Sequence, residues 1–206
     1  MKNQKSTSPL MRLTMMALLS AVSVVIGLVK FPILPVAPFL EFDFADTPIL
    51  IASLMFGTLP GLAVLFVVSV IQAFLLGGNG IIGLIMHFAA SGIMLVTVNL
   101  IAGKAVDGKR NIKRLIVAFV CGTLAQTAAM IPLNYIFIPM LFGAPREMVT
   151  GLLLPGIIPF NLIKAGGNCL LAGVLFGTLQ PVMKQYGLAS KLMKSEEVDE
   201  NQGAVR

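Results

Sequence analysis

Long stretches without a charged side chain, separated by short polar or Gly/Pro-rich breaks, dominate this chain. Residues 47 to 103 contain no Asp, Glu, Lys or Arg, residues 115 to 145 contain none, and 148 to 183 contain only Lys164. The apolar positions run on without the polar/apolar alternation of a membrane barrel strand. A continuous run of ~20 such residues crosses a bilayer as a helix. Read between the breaks, the pattern predicts six spans: Leu13–Val29, Pro48–Gly57, Leu62–Leu76, Ile81–Ala102, Leu115–Leu141 and Pro155–Met183. Prolines at 32, 35 and 38 end the first, Gly57-Thr-Leu-Pro-Gly61 and Gly77-Gly-Asn-Gly80 are tight turns, and Pro132 and Pro139 interrupt the fifth.

Composition agrees with that reading. The chain is 57% hydrophobic with a mean hydropathy of +0.92, and 12% is charged, against roughly 25% in soluble domains. The expected fold class is therefore an all-α integral membrane protein. Cys121 and Cys169 fall inside apolar tracts and read as small buried residues that need no disulfide. The first tract follows a basic N-terminal region, as in a secretory signal, but Lys30-Phe-Pro-Ile-Leu-Pro follows it in place of a small-residue cleavage site, so it is expected to be a retained helix.

The formal charge of +6 raises the question of nucleic acid, and the positions of the charges answer it. Lys104, Lys109, Arg110, Lys113 and Arg114 crowd one loop, and Lys2, Lys5, Arg12, Lys184, Lys191, Lys194 and Arg206 lie toward the two ends. Of the 15 basic residues, all but Lys30, Arg146 and Lys164 then fall on one side of a six-span topology. That is the positive-inside pattern, with both termini cytoplasmic and with anionic lipid headgroups, not nucleic acid, as the partners. The chain divides into an N-terminal tail (1–12), a six-helix membrane domain (13–183) and a polar C-terminal tail (184–206). The connector from Lys30 to Asp46 is then external. Its mix of aromatics, prolines and three acids (Glu41, Asp43, Asp46) suits an ordered lid better than a slack linker.

Catalytic chemistry finds little to work with. There is one histidine, His87, no metal-spaced His/Cys/carboxylate cluster, no nucleophile elbow, no Walker A pattern and no pair of intramembrane carboxylates. The polar residues inside the spans form a binding inventory instead. Asn161, Lys164 and Asn168 share one face at 3.6 residues per turn. An ammonium near mid-bilayer costs at least ~2.5–3.5 kcal/mol, so Lys164 reads either as a binding group or as a structural lysine that snorkels or pairs with a carboxylate. Asn134 reads either as a ligand contact or as a group that satisfies backbone freed by its neighbouring prolines. His87 reads as a hydrogen-bonded histidine, with ligand contact as the alternative. Asn amides carry both donor and acceptor, which suits the imide edge of a flat heterocycle, and Phe39 and Leu40 are placed to cover a ring. Small residues at four-residue spacing (Ala17 with Ala21, Gly57 with Gly61, Gly173 with Gly177) permit close helix approach.

Together these residues resemble the riboflavin-binding S components of energy-coupling-factor (ECF) vitamin transporters, over about residues 10 to 183. The carriers of the resemblance are Phe39-Leu-Glu-Phe-Asp-Phe-Ala-Asp46 in the connector, Pro159-Phe-Asn-Leu-Ile-Lys164 and Pro132-Leu-Asn134. The resemblance implies six helices, a site for riboflavin in the external half under a lid made by the first connector, and location in a bacterial plasma membrane. It implies that Asn134, Asn161 and Lys164 contact the flavin and that Leu40 packs on it. Glu41 and Asn79 join this set on chemistry and position alone. It implies as well that Ala17 and Ala21 dock on a transmembrane coupling subunit served by two ABC-type ATPase subunits, in keeping with the absent P-loop. No enzymatic activity and no cofactor is expected, with riboflavin as cargo. An S component for another vitamin and a stand-alone secondary transporter remain the alternatives. The latter usually offers a membrane-embedded Asp, Glu or His relay.

Overall fold

A computed structural model describes residues 9–103 and 111–185. The elements are α1 (Pro9–Ile26), β1 (Phe31–Pro32), β2 (Glu41–Phe42), α2 (Asp46–Phe56), α3 (Thr58–Leu75), α4 (Gly80–Ala102), α5 (Ile112–Phe142), α6 (Arg146–Leu152), one π-helical turn (Leu153–Ile157) and α7 (Ile158–Gln185). Among the described residues, four helical stretches are long and apolar enough to cross a membrane: Thr58–Leu75, Gly80–Ala102, Ile112–Phe142 and Arg146–Thr178. The apolar helices α1 and α2 are shorter. The protein is thus a helical membrane protein, with one two-residue antiparallel pair, β1 with β2, inside the connector. Lys104, Lys109, Arg110, the first eight residues and the tail from 186 onward lie outside the described residues.

The helix α2 is the centre of the fold. Its residues are buried on every side, as expected of a helix that is apolar all round. Leu50, Ile51 and Leu54 belong to one apolar cluster with Met94 and Val98 of α4, Leu115 and Ala118 of α5, and Ala165, Cys169 and Phe176 of α7. On its other flank Ile49, Ala52 and Phe56 meet Val64, Leu65 and Val68 of α3. Eleven residues rise only about 16 Å, roughly half of a ~30 Å hydrocarbon core. The connector leads into α2, with Phe42, Asp43 and Ala45 buried.

One residue, Gly57, separates α2 from α3, and its φ of 94° lies where L side chains rarely go. At Gly61 the two helices touch so closely that a Cβ would sit 2.8 Å from the Ser53 Cα. Gly173 likewise accepts the Phe119 ring of α5, a Cβ there falling 2.9 Å from Cε2, whereas Gly177 faces open space and packs on nothing.

Four local expectations change. Pro132 and Pro139 sit inside one continuous 31-residue helix and do not interrupt it. The segment after Gly143, expected as a plain connector, folds into α6 and the π turn. Pro145 directly before α6 and Glu147 in its first turn are ordinary helix-start signals. Finally, α1 begins at Pro9, within the expected tail, and Asp46 is the first residue of α2 rather than the last of the connector.

Candidate functional site: a polar cluster beneath the connector

The face of α7 carrying Asn161, Lys164 and Asn168 points inward, with Asn161 and Asn168 fully buried. Lys164 Nζ lies 2.6 Å from Asp43 Oδ2 and donates a second, longer bond of 3.4 Å to the Glu41 carbonyl. Asn168 Nδ2 donates to the Asp43 carbonyl at 3.0 Å, and its Oδ1 accepts from Thr47 Oγ1 at 2.8 Å. Asp43 Oδ1 accepts from the Ala45 amide at 3.0 Å. The connector is therefore clamped to α7 by an ion pair and an amide clasp. Of the two readings of Lys164, pairing with a carboxylate is what the structure displays, and an ammonium with three donors retains capacity for a further acceptor.

Apolar contacts hold the rest of the connector. Leu40 packs against Ile138 of α5, Val149 of α6 and Ile157 of the π turn. Phe39 meets Phe142, with ring centroids 5.5 Å apart. A Cβ at Gly156 would lie 3.3 Å from the Ala37 Cβ, so the π turn and the connector are in near-backbone contact. Phe42 stacks edge-on to Phe44 and lies against Gly167 of α7.

Beneath this roof lie buried amides. Asn134 donates to the Met130 carbonyl at 2.7 Å and Asn161 to the Ile157 carbonyl at 2.8 Å. The Asn134 bond goes to the Met130 carbonyl, not to the Ala128 carbonyl that Pro132 leaves without its usual donor, so it does not repair the bond lost at the proline. Asn161 Oδ1 is buried without a hydrogen-bond partner, and so is Oε1 of Gln126 on α5. A buried acceptor left unmade costs about 1–3 kcal/mol, so both are poised for a donor. Gln126 was not singled out from the sequence. Its signal is its position two turns before Asn134, on the same face of α5.

The other expected residues fall around the rim. Glu41 has an exposed side chain and contributes its carbonyl to Lys164. Asn79 is exposed in the α3–α4 turn at φ 64°, and its side chain caps nothing, so the hydrogen bonds do not bring it into the cluster. Ala17 and Ala21 are exposed on α1, between Leu18, Val22 and Val25, while Ser20 and Ser23 on the opposite face are buried.

A second polar group was also missed. Asp46 is 1% exposed; its Oδ1 lies 3.0 Å from His87 Nε2 and its Oδ2 accepts from Ser91 Oγ at 3.0 Å. His87 Nδ1 is 2.9 Å from Ser69 Oγ. His87 is thus the hydrogen-bonded histidine expected of it, but as the link between α2 and α3. Among the described residues, no group of three or more His, Cys, Asp or Glu could hold a metal ion.

A bundle of apolar helices with amides and an ion pair buried beneath an inter-helix connector has the build of a multi-pass membrane protein. The profile described as "ECF transporter, substrate-specific component" matches residues 11–176. The chain belongs to that family, which comprises transporter components and not enzymes. Among its relatives is the riboflavin transporter RibU of Staphylococcus aureus, 31% identical over 159 residues, which are 74% of this chain and 82% of that protein. The riboflavin transporter RibU of Streptococcus thermophilus is 32% identical over 84% of this chain and 82% of its own length. The riboflavin transporter FmnP of Bacillus subtilis is 29% identical over 84% of this chain and 94% of its own length. A solved structure described as "Structure and mechanism of the S component of a bacterial ECF transporter" superposes with a TM-score of 0.67 at 30% identity, covering 85% of this chain and 96% of that one.

Proposed function

We propose that this chain is the riboflavin-binding subunit of an ECF transporter in a bacterial plasma membrane. The observation that carries the reading is the 29–32% identity to three riboflavin transporters across 74–84% of the chain. The site explains how such a ligand is read. Asn134, Asn161 and Lys164 meet the polar edge of the flavin, where the unpartnered Asn161 Oδ1 accepts from the ring imide and Lys164 donates to a ring carbonyl. Leu40 covers the ring, and Glu41 and Asn79 touch the ligand from the rim. The connector is the external lid, six helices cross the membrane, and both termini are cytoplasmic.

Uptake requires a partner. Ala17 and Ala21 form the small-residue face on which a transmembrane coupling subunit docks, and two ABC-type ATPase subunits drive the release of ligand inward. Riboflavin is cargo, and the transport cycle needs no cofactor. Reconstitution in liposomes tests this division of labour. Alone, the chain binds riboflavin but does not concentrate it under any imposed proton or sodium gradient. With the coupling and ATPase subunits and ATP it does. Gradient-driven accumulation by the solitary chain would instead establish a secondary transporter.

A further inference from the structure

The junction between connector and α2, residues 42 to 47, is bonded directly to three helices and through His87 to a fourth. Ser23 of α1 donates its hydroxyl to the Ala45 carbonyl. Lys164 and Asn168 of α7 hold Asp43, and Asn168 also holds Thr47. His87 and Ser91 of α4 hold Asp46, and His87 reaches on to Ser69 of α3. Only Phe44 and Ala45 separate Asp46 from Asp43, whose carboxylate clamps Lys164. Whatever fixes Asp46 therefore fixes the stem of the roof over the ligand.

We propose that His87 is a positioning residue for the ligand site. Acting through Asp46, it locks the base of the connector so that Asp43 and Lys164 are held in ligand-binding register. The inference rests on the riboflavin reading for the identity of the ligand only.

The chemistry favours a fixed strut over generic packing. A buried carboxylate is acceptor-only and is costly when any oxygen is left bare. Here Ser91 serves one oxygen and His87 the other. His87 Nε2 therefore donates to Asp46 Oδ1, while Nδ1 lies within hydrogen-bond distance of the Ser69 hydroxyl. A planar ring with two opposed nitrogens sets the spacing between α3 and α2 rigidly, whereas a flexible chain would not. The order Ser69–His87–Asp46 is also that of a hydrolytic triad. Ser69, however, is 1% exposed between helices, out of reach of any acyl substrate, so the chain of bonds serves geometry.

A roof held less firmly opens more often, so the loss should appear in the dissociation rate. The experiment compares purified full-length wild type with His87→Phe, which keeps a ring but no N–H, and His87→Gln, which keeps a donor for Asp46. Stopped-flow quenching of riboflavin fluorescence reads both rates, and hydrogen–deuterium exchange reads residues 40 to 47 in the ligand-free protein. His87→Phe should raise the dissociation rate on the order of tenfold, the scale of losing a hydrogen bond to a charged group. Its association rate should stay within about twofold. His87→Gln should recover most of the wild-type dissociation rate, and exchange at the junction should quicken only in the Phe variant. Should His87→Phe not fold, Ser69→Ala removes the outer link alone and should give the same pattern with a smaller amplitude. An unchanged dissociation rate with unchanged exchange overturns the proposal, and so does an equal defect in Phe and Gln variants. If the wild type binds no riboflavin, the ligand reading falls, while junction exchange in His87→Phe still decides the role of His87.

Discussion

Replacing Lys164 by alanine should weaken riboflavin binding by one to two orders of magnitude. Two losses combine in that expectation. Removing a charge-assisted hydrogen bond to the ligand costs about 1.5–3 kcal/mol, and each 1.4 kcal/mol is tenfold in affinity. The same change strands Asp43, whose Oδ2 lies 2.6 Å from the ammonium, and a buried carboxylate without its partner loosens the connector. Asp43→Ala separates the contributions, because it removes the clamp and leaves the ammonium for the ligand. Fluorescence-quench titration in detergent should place Asp43→Ala between wild type and Lys164→Ala. If the two variants are equally impaired, Lys164 is a latch and not a ligand contact. If Lys164→Ala binds as wild type does, it is neither.

The largest effect on transport is expected at α1. Ala17 and Ala21 lie exposed on α1, where only small side chains let a second helix approach closely within the bilayer. Changing both to leucine adds bulk that no residue of this bundle needs to accommodate, so the isolated protein should fold and bind riboflavin normally. Docking should fail, since overpacking a tight contact costs about 1–3 kcal/mol per site. Cells expressing the double variant with its partner subunits should lose at least ~90% of uptake, because two such sites exceed the 1.4 kcal/mol of a tenfold change. Uptake at the wild-type rate would make the pair ordinary lipid-facing residues.

Much of this architecture is readable from local patterns. Charge-free tracts of membrane length mark the helices, and the 3.6-residue period puts Asn161, Lys164 and Asn168 on one face, where the structure has them. The shortness of α2 is also visible, between the connector and the Gly57 turn. What escapes the sequence is contact between distant residues. Lys164 and Asp43 are 121 positions apart, and nothing local distinguishes Asp43 from Glu41 as the pairing acid; Asp43 lies just past the end of β2 and is buried, whereas Glu41 within β2 is exposed. Asp46 reads as a loop acid because burying a carboxylate is costly, and only His87 and Ser91, 41 and 45 positions away, make it tolerable. Pro132 and Pro139 mislead for a different reason. Each forfeits one backbone bond, yet the helix is held by packing along α4 and α7, and Asn134 adds a bond at Met130. Local propensity loses to tertiary contact there. Asn79 illustrates the reverse, since its φ of 64° serves the turn itself.

The most direct test of the account is the binding of riboflavin to the purified chain alone. The protein should emerge from cells carrying flavin absorbance, and after removal of that ligand it should quench riboflavin fluorescence at a stoichiometry of one per chain. Thiamine or biotin in excess should not displace the flavin. A colourless protein that leaves riboflavin fluorescence unchanged while binding another vitamin would contradict the assignment of the Asn134, Asn161 and Lys164 cluster to a flavin.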